Sequence, residues 1–219
     1  SVYLAMIEGT PLEAALDYAL HVRRVPMGGT SAGMALLGGI DFTAKYRPSR
    51  KSSLVTSELA MKDPTARYVD LDRRTLVPPF LDHVITDTHF SQRSRQGRLV
   101  SFMARAVYNN YGDINPFNIK GIGADEGTAF CYDTVTGSGK VYGTNSVHFA
   151  IGNANIERIA TGFSLNWLWG REAVKVYSIP ASANATAGFD LSTWTGTGGK
   201  VSYWFVDGTD EASPVFGQN

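Results

Sequence analysis

Arg23-Arg24-Val25-Pro26-Met27-Gly28-Gly29-Thr30-Ser31-Ala32-Gly33-Met34-Ala35-Leu36-Leu37 is the stretch on which the reading of the fold turns. Arg23 to Met27 reads as a short buried strand, and the apolar run from Met34 to Leu37 as the helix that follows it. The residues between them are small or hydroxylic, as a chain must be that turns from strand to helix within a few residues. Gly29-Thr30-Ser31-Ala32-Gly33 fits the G-x-S-x-G turn that lifts a serine hydroxyl above a sheet. Backbone amides at Gly29 and Ala32 would then face a developing oxyanion. A glycine-rich turn carrying an incidental serine has the same five residues, so the chemistry has to be sought in partners elsewhere in the chain.

Upstream, Thr10-Pro11-Leu12-Glu13 has the form of a helix start, with Thr10 as N-cap, Pro11 in the first turn and Glu13 reaching back. Leu12, Ala15, Leu16 and Leu20 recur at helical spacing, so one face of this helix is expected to pack on a sheet. Downstream, Asp41 to Ser53 is polar and basic and reads as an exposed loop. Leu81 to Thr86 reads as a strand, Gly97 to Val107 as a helix, and Lys120 to Phe130, Lys140 to Gly143, Val147 to Ile151 and Trp167 to Ile179 as further strands. After Pro180 the composition shifts to Ala, Ser, Thr and Gly, with one last alternating strand from Val201 to Val206. Helices interleaved with early strands, then mainly strands, predict an α/β sandwich over residues 1–180 with a β-rich extension of the same domain over 181–219.

Lys plus Arg and Asp plus Glu are each 20 in 219 residues, so no overall field draws the chain to nucleic acid or to an acidic membrane. The apolar runs fall short of the roughly 20 residues a spanning helix needs, which predicts a soluble protein, cytoplasmic or secreted. Cys131 is the single cysteine, so neither an intrachain disulfide nor a cysteine-based zinc site is expected.

A serine hydroxyl needs a base before it can attack a carbonyl near neutral pH. Of four histidines, His21 lies on the first helix, His148 in an apolar strand and His83 at the start of an apolar run without polar company. His89 stands at a strand end in Asp87-Thr88-His89-Phe90-Ser91-Gln92-Arg93-Ser94-Arg95-Gln96-Gly97-Arg98 and is the favoured base. An orienting carboxylate is expected from Gly121-Ile122-Gly123-Ala124-Asp125-Glu126-Gly127, with Glu126 preferred and Asp125, Glu58 and Asp41 as competitors. Arg93, Arg95 and Arg98 follow the base directly, and guanidinium groups suit bidentate recognition of a carboxylate, so an acidic substrate is implied.

Taken together, GGTSAGM, DTHFSQRSRQGRL and GIGADEGTA resemble, in order and spacing from about Ser1 to Val176, the cyanophycinase and aspartyl dipeptidase (peptidase E-like) family of serine peptidases. The resemblance implies a flavodoxin-like three-layer α/β/α sandwich and a triad of Ser31, His89 and Glu126, with neither metal nor organic cofactor. It also implies a substrate-binding set comprising Asp87, Thr88, Arg93, Arg95 and Arg98, to which Glu58 is added here. The reaction implied is hydrolysis of β-aspartyl isopeptide bonds, with release of β-aspartyl-arginine dipeptides from cyanophycin. The alternatives are an aspartyl or isoaspartyl dipeptidase and a non-catalytic binding protein that keeps the fold. Thr88 departs from the family pattern, where a glutamine commonly follows the aspartate, and fine specificity is expected to differ accordingly.

The elbow strand lacks neighbours: one helix and no strand precede it, although a strand inside a sheet must be paired along both edges. The family carries roughly a hundred residues more before this point, the usual scale of a first domain. The expected partners are therefore an N-terminal fragment of the same precursor that completes the sheet, a peptide or polymer substrate with free carboxylates, and a second copy in a homodimer of the completed unit.

Overall fold

The computed structural model describes residues 2–50, 52, 54–74 and 76–219. Ser1, Lys51 and Ser53, which bound or belong to stretches interpreted above, lie outside the described residues. The helices are α1 (Val2–Ile7), α2 (Pro11–Asp17), α3 (Ala32–Ala35), α4 (Ser57–Lys62) and α5 (Gln96–Tyr108). The strands are β1 (Ile40–Phe42), β2 (Leu71–Arg73), β3 (Val84–Thr88), β4 (Lys120–Ala124), β5 (Thr128–Tyr132), β6 (Ser138–Gly143), β7 (Ser146–Gly152), β8 (Val174–Pro180), β9 (Gly188–Asp190), β10 (Thr195–Thr197), β11 (Lys200–Asp207) and β12 (Val215–Gln218). Eight of the strands form a mixed sheet in the order β12-β11-β8-β7-β4-β3-β1-β2, and four form an antiparallel sheet in the order β10-β9-β6-β5. The protein is a mixed α/β structure in which strands predominate. None of its described helices is long and apolar enough to cross a membrane.

Parallel ladders join β1 to β3 and β3 to β4, with Ile40 beside Ile85 and Thr88 beside Ala124. The step from β3 to β4 passes through α5, whose Leu99, Val100, Phe102, Met103 and Ala106 are buried against Ile40, Ile85 and Ile119. These positions recur at three- and four-residue intervals, which is why this helix was legible as one. The opposite face of the sheet is covered over β4, β7 and β8 by the second sheet, where Phe149 and Phe189 stack at 3.8 Å and 5°. Gly123 in β4 leaves the space for Phe90, since a Cβ there would stand 2.6 Å from the ring. Phe90 itself is fully buried, which anchors the chain just after His89.

Several expectations are corrected by this architecture. Arg23 to Met27 is an irregular, exposed segment and not a buried strand. β3 is already flanked by β1 and β4, and β1 by β3 and β2, so neither strand offers it an edge, and Pro26 removes one of its donors. The helix of Pro11 buries none of its residues, with Leu12 47% exposed, so its apolar face does not pack on a sheet. Thr10 makes no side-chain cap, and Glu13 reaches back to the amide of Gly9 (2.8 Å). A second helix, α1, precedes it. The stretch opened by Asp41 begins as strand, with Asp41 and Thr43 buried before the chain turns outward. Only the Val174–Pro180 part of the long strand expected after Trp167 is extended; the chain before it forms a short helical turn at Trp169–Arg171. Within 181–219, β11 and β12 join the large sheet while β9 and β10 join the small one.

Asp41 is 2% exposed, and burial pushes its pKa from the ordinary 3.8 to about 7 against the opposing attraction of Arg74. Between these values the folded chain holds a proton that the unfolded chain has released, so stability falls as pH rises from about 4 to 7. Asp41→Asn is therefore expected to gain stability relative to the parent, on the order of 3 kcal/mol, between pH 4 and pH 8. Urea unfolding of both proteins at the two pH values checks this, and a difference that does not change with pH refutes it.

Candidate active site

Ser31 sits immediately before α3 with φ 52° and ψ −120°, a backbone that a side-chain-bearing residue rarely adopts. Gly29 makes the turn possible: a Cβ on it would lie 2.2 Å from the carbonyl of Gly33. The first turn of α3 then hangs on the serine's own carbonyl, which accepts from Met34 and Ala35 (3.1 Å each). Thr86 of β3 fixes α3 against the sheet by donating its hydroxyl to the carbonyl of Met34 (2.9 Å). Among the described residues the amides of Gly29 and Ala32 have no acceptor within the chain, which leaves both free beside the serine.

His89 follows β3 directly, also at positive φ (49°), and its ring turns toward α3. Its Nε2 lies 3.0 Å from Ser31 Oγ and its Nδ1 lies 2.6 Å from Glu126 Oε1. With the proton on Nδ1, the ring donates to Glu126 and accepts from the serine hydroxyl. Glu126 lies in the turn between β4 and β5, ahead of the left-handed Gly127 (φ 67°). Three residues remote in sequence thus form one continuous chain of hydrogen bonds from hydroxyl to carboxylate.

The competing acids lie elsewhere. Asp125 is buried and receives the amides of Ser91 (2.8 Å) and Ser146 (3.1 Å), not the imidazole of His89. Asp41 belongs to β1. Glu58 is an exposed acid in the first turn of α4 and lines neither cavity beside Ser31, so the structure does not bring it together with the other residues of the expected substrate-binding set. Its position near a helix N-terminus accounts for it in structural terms. His148 is partly buried between Phe90 and Trp204, with Nδ1 2.8 Å from Ser178 Oγ, and its removal from solvent lowers its pKa.

Asp87 and Arg98 form a buried ion pair. Arg98 Nε donates to Asp87 Oδ2 (2.9 Å), Nη2 donates to Oδ1, and Nη1 donates to the carbonyl of Val55 (3.1 Å). Arg95 Nη1 adds bonds to Asp87 Oδ1 (3.2 Å) and the carbonyl of Thr88 (2.7 Å), while its buried Nε has no partner. Burial and the neighbouring Arg98 lower the pKa of Arg95 to about 10. The side chain of Arg93 is exposed and makes no hydrogen bond or ion pair among the described residues. The sequence motif therefore divides into a structural pair, Asp87 and Arg98, and cations with capacity to spare, Arg95 and Arg93. Spacing along the chain carried no sign of this division.

Two cavities share a wall formed by Ser31, Thr86, Thr88 and His89. The larger, of about 1120 Å³, runs between the 24–30 segment and apolar residues including Leu81, Ile122, Phe130 and Tyr132. The smaller, of about 460 Å³, is where Arg93, Arg95 and Arg98 converge. No group of three or more His, Cys, Asp or Glu among the described residues is placed to hold a metal ion. The residues that sequence reading missed are Gln92 and Asn145, which bond to the amide (3.0 Å) and carbonyl (2.7 Å) of Glu126. No protein-family model matches the chain, and no curated protein matches it either.

Replacing Arg98 leaves Asp87 Oδ2 without its donor and only the 3.2 Å contact of Arg95 to balance the buried charge, whereas replacing Arg93 removes no internal partner. Arg98→Ala is expected to destabilise the fold by about 3–5 kcal/mol, and Arg93→Ala to leave the unfolding midpoint where it is. Thermal and denaturant unfolding of the two variants measures this; equal midpoints would show that the Asp87–Arg98 pair carries no structural weight.

Proposed function

We propose that this chain is a serine-type hydrolase of the cyanophycinase and aspartyl dipeptidase kind, cutting the main-chain amide between β-substituted aspartyl residues, since release of β-aspartyl-arginine leaves the side-chain isopeptide bond whole. The observation that carries the reading is the line Ser31 Oγ, His89 Nε2, Nδ1 and Glu126 Oε1, with contacts of 3.0 and 2.6 Å, built on a serine at strained φ and ψ. In this reaction His89 Nε2 takes the proton of Ser31 Oγ as the oxygen bonds to the carbonyl carbon. Glu126 stabilises the imidazolium, and the free amides of Gly29 and Ala32 hold the oxyanion. Collapse breaks the carbon–nitrogen bond, and His89 returns the proton to the leaving amine. Water, deprotonated by the same imidazole, then releases the acyl group from Ser31. The βαβ unit formed by β3, α5 and β4, with the serine turn beside β3, is consistent with a flavodoxin-like frame.

The substrate proposed is cyanophycin, whose free carboxylates would meet Arg93 and the unpartnered face of Arg95 in the smaller cavity. Asp87 is excluded from holding a substrate guanidinium in this geometry, because both its oxygens are engaged by Arg98. Ser31→Ala is expected to lose activity on the order of a million-fold and to escape labelling by a fluorophosphonate. The parent should release β-aspartyl-arginine from insoluble cyanophycin. Release from isoaspartyl dipeptides alone would move the assignment to a dipeptidase. A parent that neither labels nor hydrolyses would be a binding protein.

We also propose that a further polypeptide, an N-terminal fragment of the same precursor, pairs with the 24–30 segment. Its support is that among the described residues the amides of Met27, Gly28 and Gly29 have no acceptor, that Val25 and Met27 are exposed, and that an apolar cavity adjoins them. Denaturing gels and intact mass of active material are expected to reveal a second polypeptide. Full activity from these 219 residues alone would refute it.

A further inference from the structure

β3 and β4 run in register as far as Thr88 and Ala124, and there the ladder stops. The proposed base and acid lie just past this point, His89 by one residue and Glu126 by two. The sheet therefore does not set the 2.6 Å contact between them. Glu126 is in addition exposed and precedes a glycine at positive φ, a place where a turn is free to shift.

Three bonds take over where the ladder ends. The amide of Phe90 donates to the carbonyl of Ala124 (3.2 Å), the amide of Ser91 donates to Asp125 Oδ1 (2.8 Å), and the amide of Glu126 donates to Gln92 Oε1 (3.0 Å). The last two run in opposite directions: a side chain of the acid's loop caps the base's loop, and a side chain of the base's loop caps the acid. Asp125 Oδ2 also receives the amide of Ser146, and Asn145 Nδ2 donates to the carbonyl of Glu126 (2.7 Å). The peptide of Glu126 is thus gripped at its amide by Gln92 and at its carbonyl by Asn145. We infer that Gln92, together with Asp125 and Asn145, is a positioning residue that sets the distance between His89 and Glu126. The inference rests on the triad reading given above.

Gln92 gives the cleanest test, because it is exposed and its truncation does not open the core. The direct readout is the far-downfield proton resonance of the imidazole Nδ1–H bonded to Glu126. Gln92→Ala is expected to shift this resonance upfield and broaden it through exchange with water, with the unfolding midpoint unchanged. With substrate, kcat should fall on the order of tenfold or more at nearly constant KM, as for other residues that orient a catalytic group. In a Glu126→Gln background the same truncation should cost nothing further, since its effect runs through Glu126. A resonance in Gln92→Ala that keeps the parent's position and width overturns the inference. So does an equal loss of kcat in both backgrounds. Absence of turnover in the parent would defeat the hydrolase reading instead, while the resonance still decides whether Gln92 holds the pair.

Discussion

The buried pair of Asp87 and Arg98 ties together the parts of the chain that carry the site. Arg98 comes from the first turn of α5, Asp87 from the end of β3, and the third bond of the guanidinium goes to Val55 just ahead of α4. Removing two such charges from water costs several kcal/mol each, and only close pairing with filled hydrogen-bonding positions offsets it. The geometry is correspondingly demanding, and Asp87 Oδ1 also takes the amide of Thr88 (2.8 Å). The direction in which the chain leaves β3 follows from these bonds. The next residue is His89.

Both proposed reacting residues occupy positive φ, a conformation that costs about 1–3 kcal/mol for a residue with a side chain. In each case the neighbouring structure holds it. Ser31 is fixed by the hydrogen bonds of α3 onto its carbonyl, by the Gly29–Gly33 approach and by Thr86. His89 is fixed because Phe90 fills the space above Gly123, and because the carbonyls of His89 and Phe90 accept the amides of Arg93 (3.1 Å) and Arg95 (3.0 Å). The strain is supported by elements that are rigid for other reasons, so the imidazole and the hydroxyl meet without either loop being long.

What could be read from the sequence follows from how local each signal is. α5 shows a helical repeat of buried residues, and β3 and β7 are short apolar runs ended by polar residues, found within a few residues of the expected bounds; the single strand expected from Lys120 to Phe130 is instead broken by the turn at 125–127 into β4 and β5. Ser31, His89 and Glu126 were legible as three polar residues at the ends of apolar segments, and the folded chain brings them together. Arg23 to Met27 misled because strand composition says nothing about whether a neighbour has a free edge. The face of α2 misled in the same way, since periodicity identifies an apolar stripe and not what covers it. Asp41 was hidden inside a three-residue strand, too short for any alternation to register. Gln92 and Asn145 act through their side-chain amides on backbone atoms more than ten residues away, and such contacts leave no periodic trace in sequence.

The arginine motif shows the same limit in its electrostatics. Arg93, Arg95 and Arg98 look equivalent along the chain, but a guanidinium can bind an incoming carboxylate only with donors that are not already committed. Arg98 has spent its Nε and both terminal nitrogens on Asp87 and Val55, and opening them would expose a buried carboxylate. Arg95 shares the same Asp87 and is depressed by the adjacent Arg98, so the cluster holds more positive charge than one carboxylate balances. An anion entering the smaller cavity would relieve that excess at Arg95 and find Arg93 without an internal partner to displace. Overall neutrality of the chain is compatible with this, because the attraction arises from three cations gathered at one strand end rather than from net charge. The proposed selection of an acidic substrate would in this sense be a by-product of the fold's own ion pair: Asp87 neutralises the arginine that the structure needs and leaves the others available.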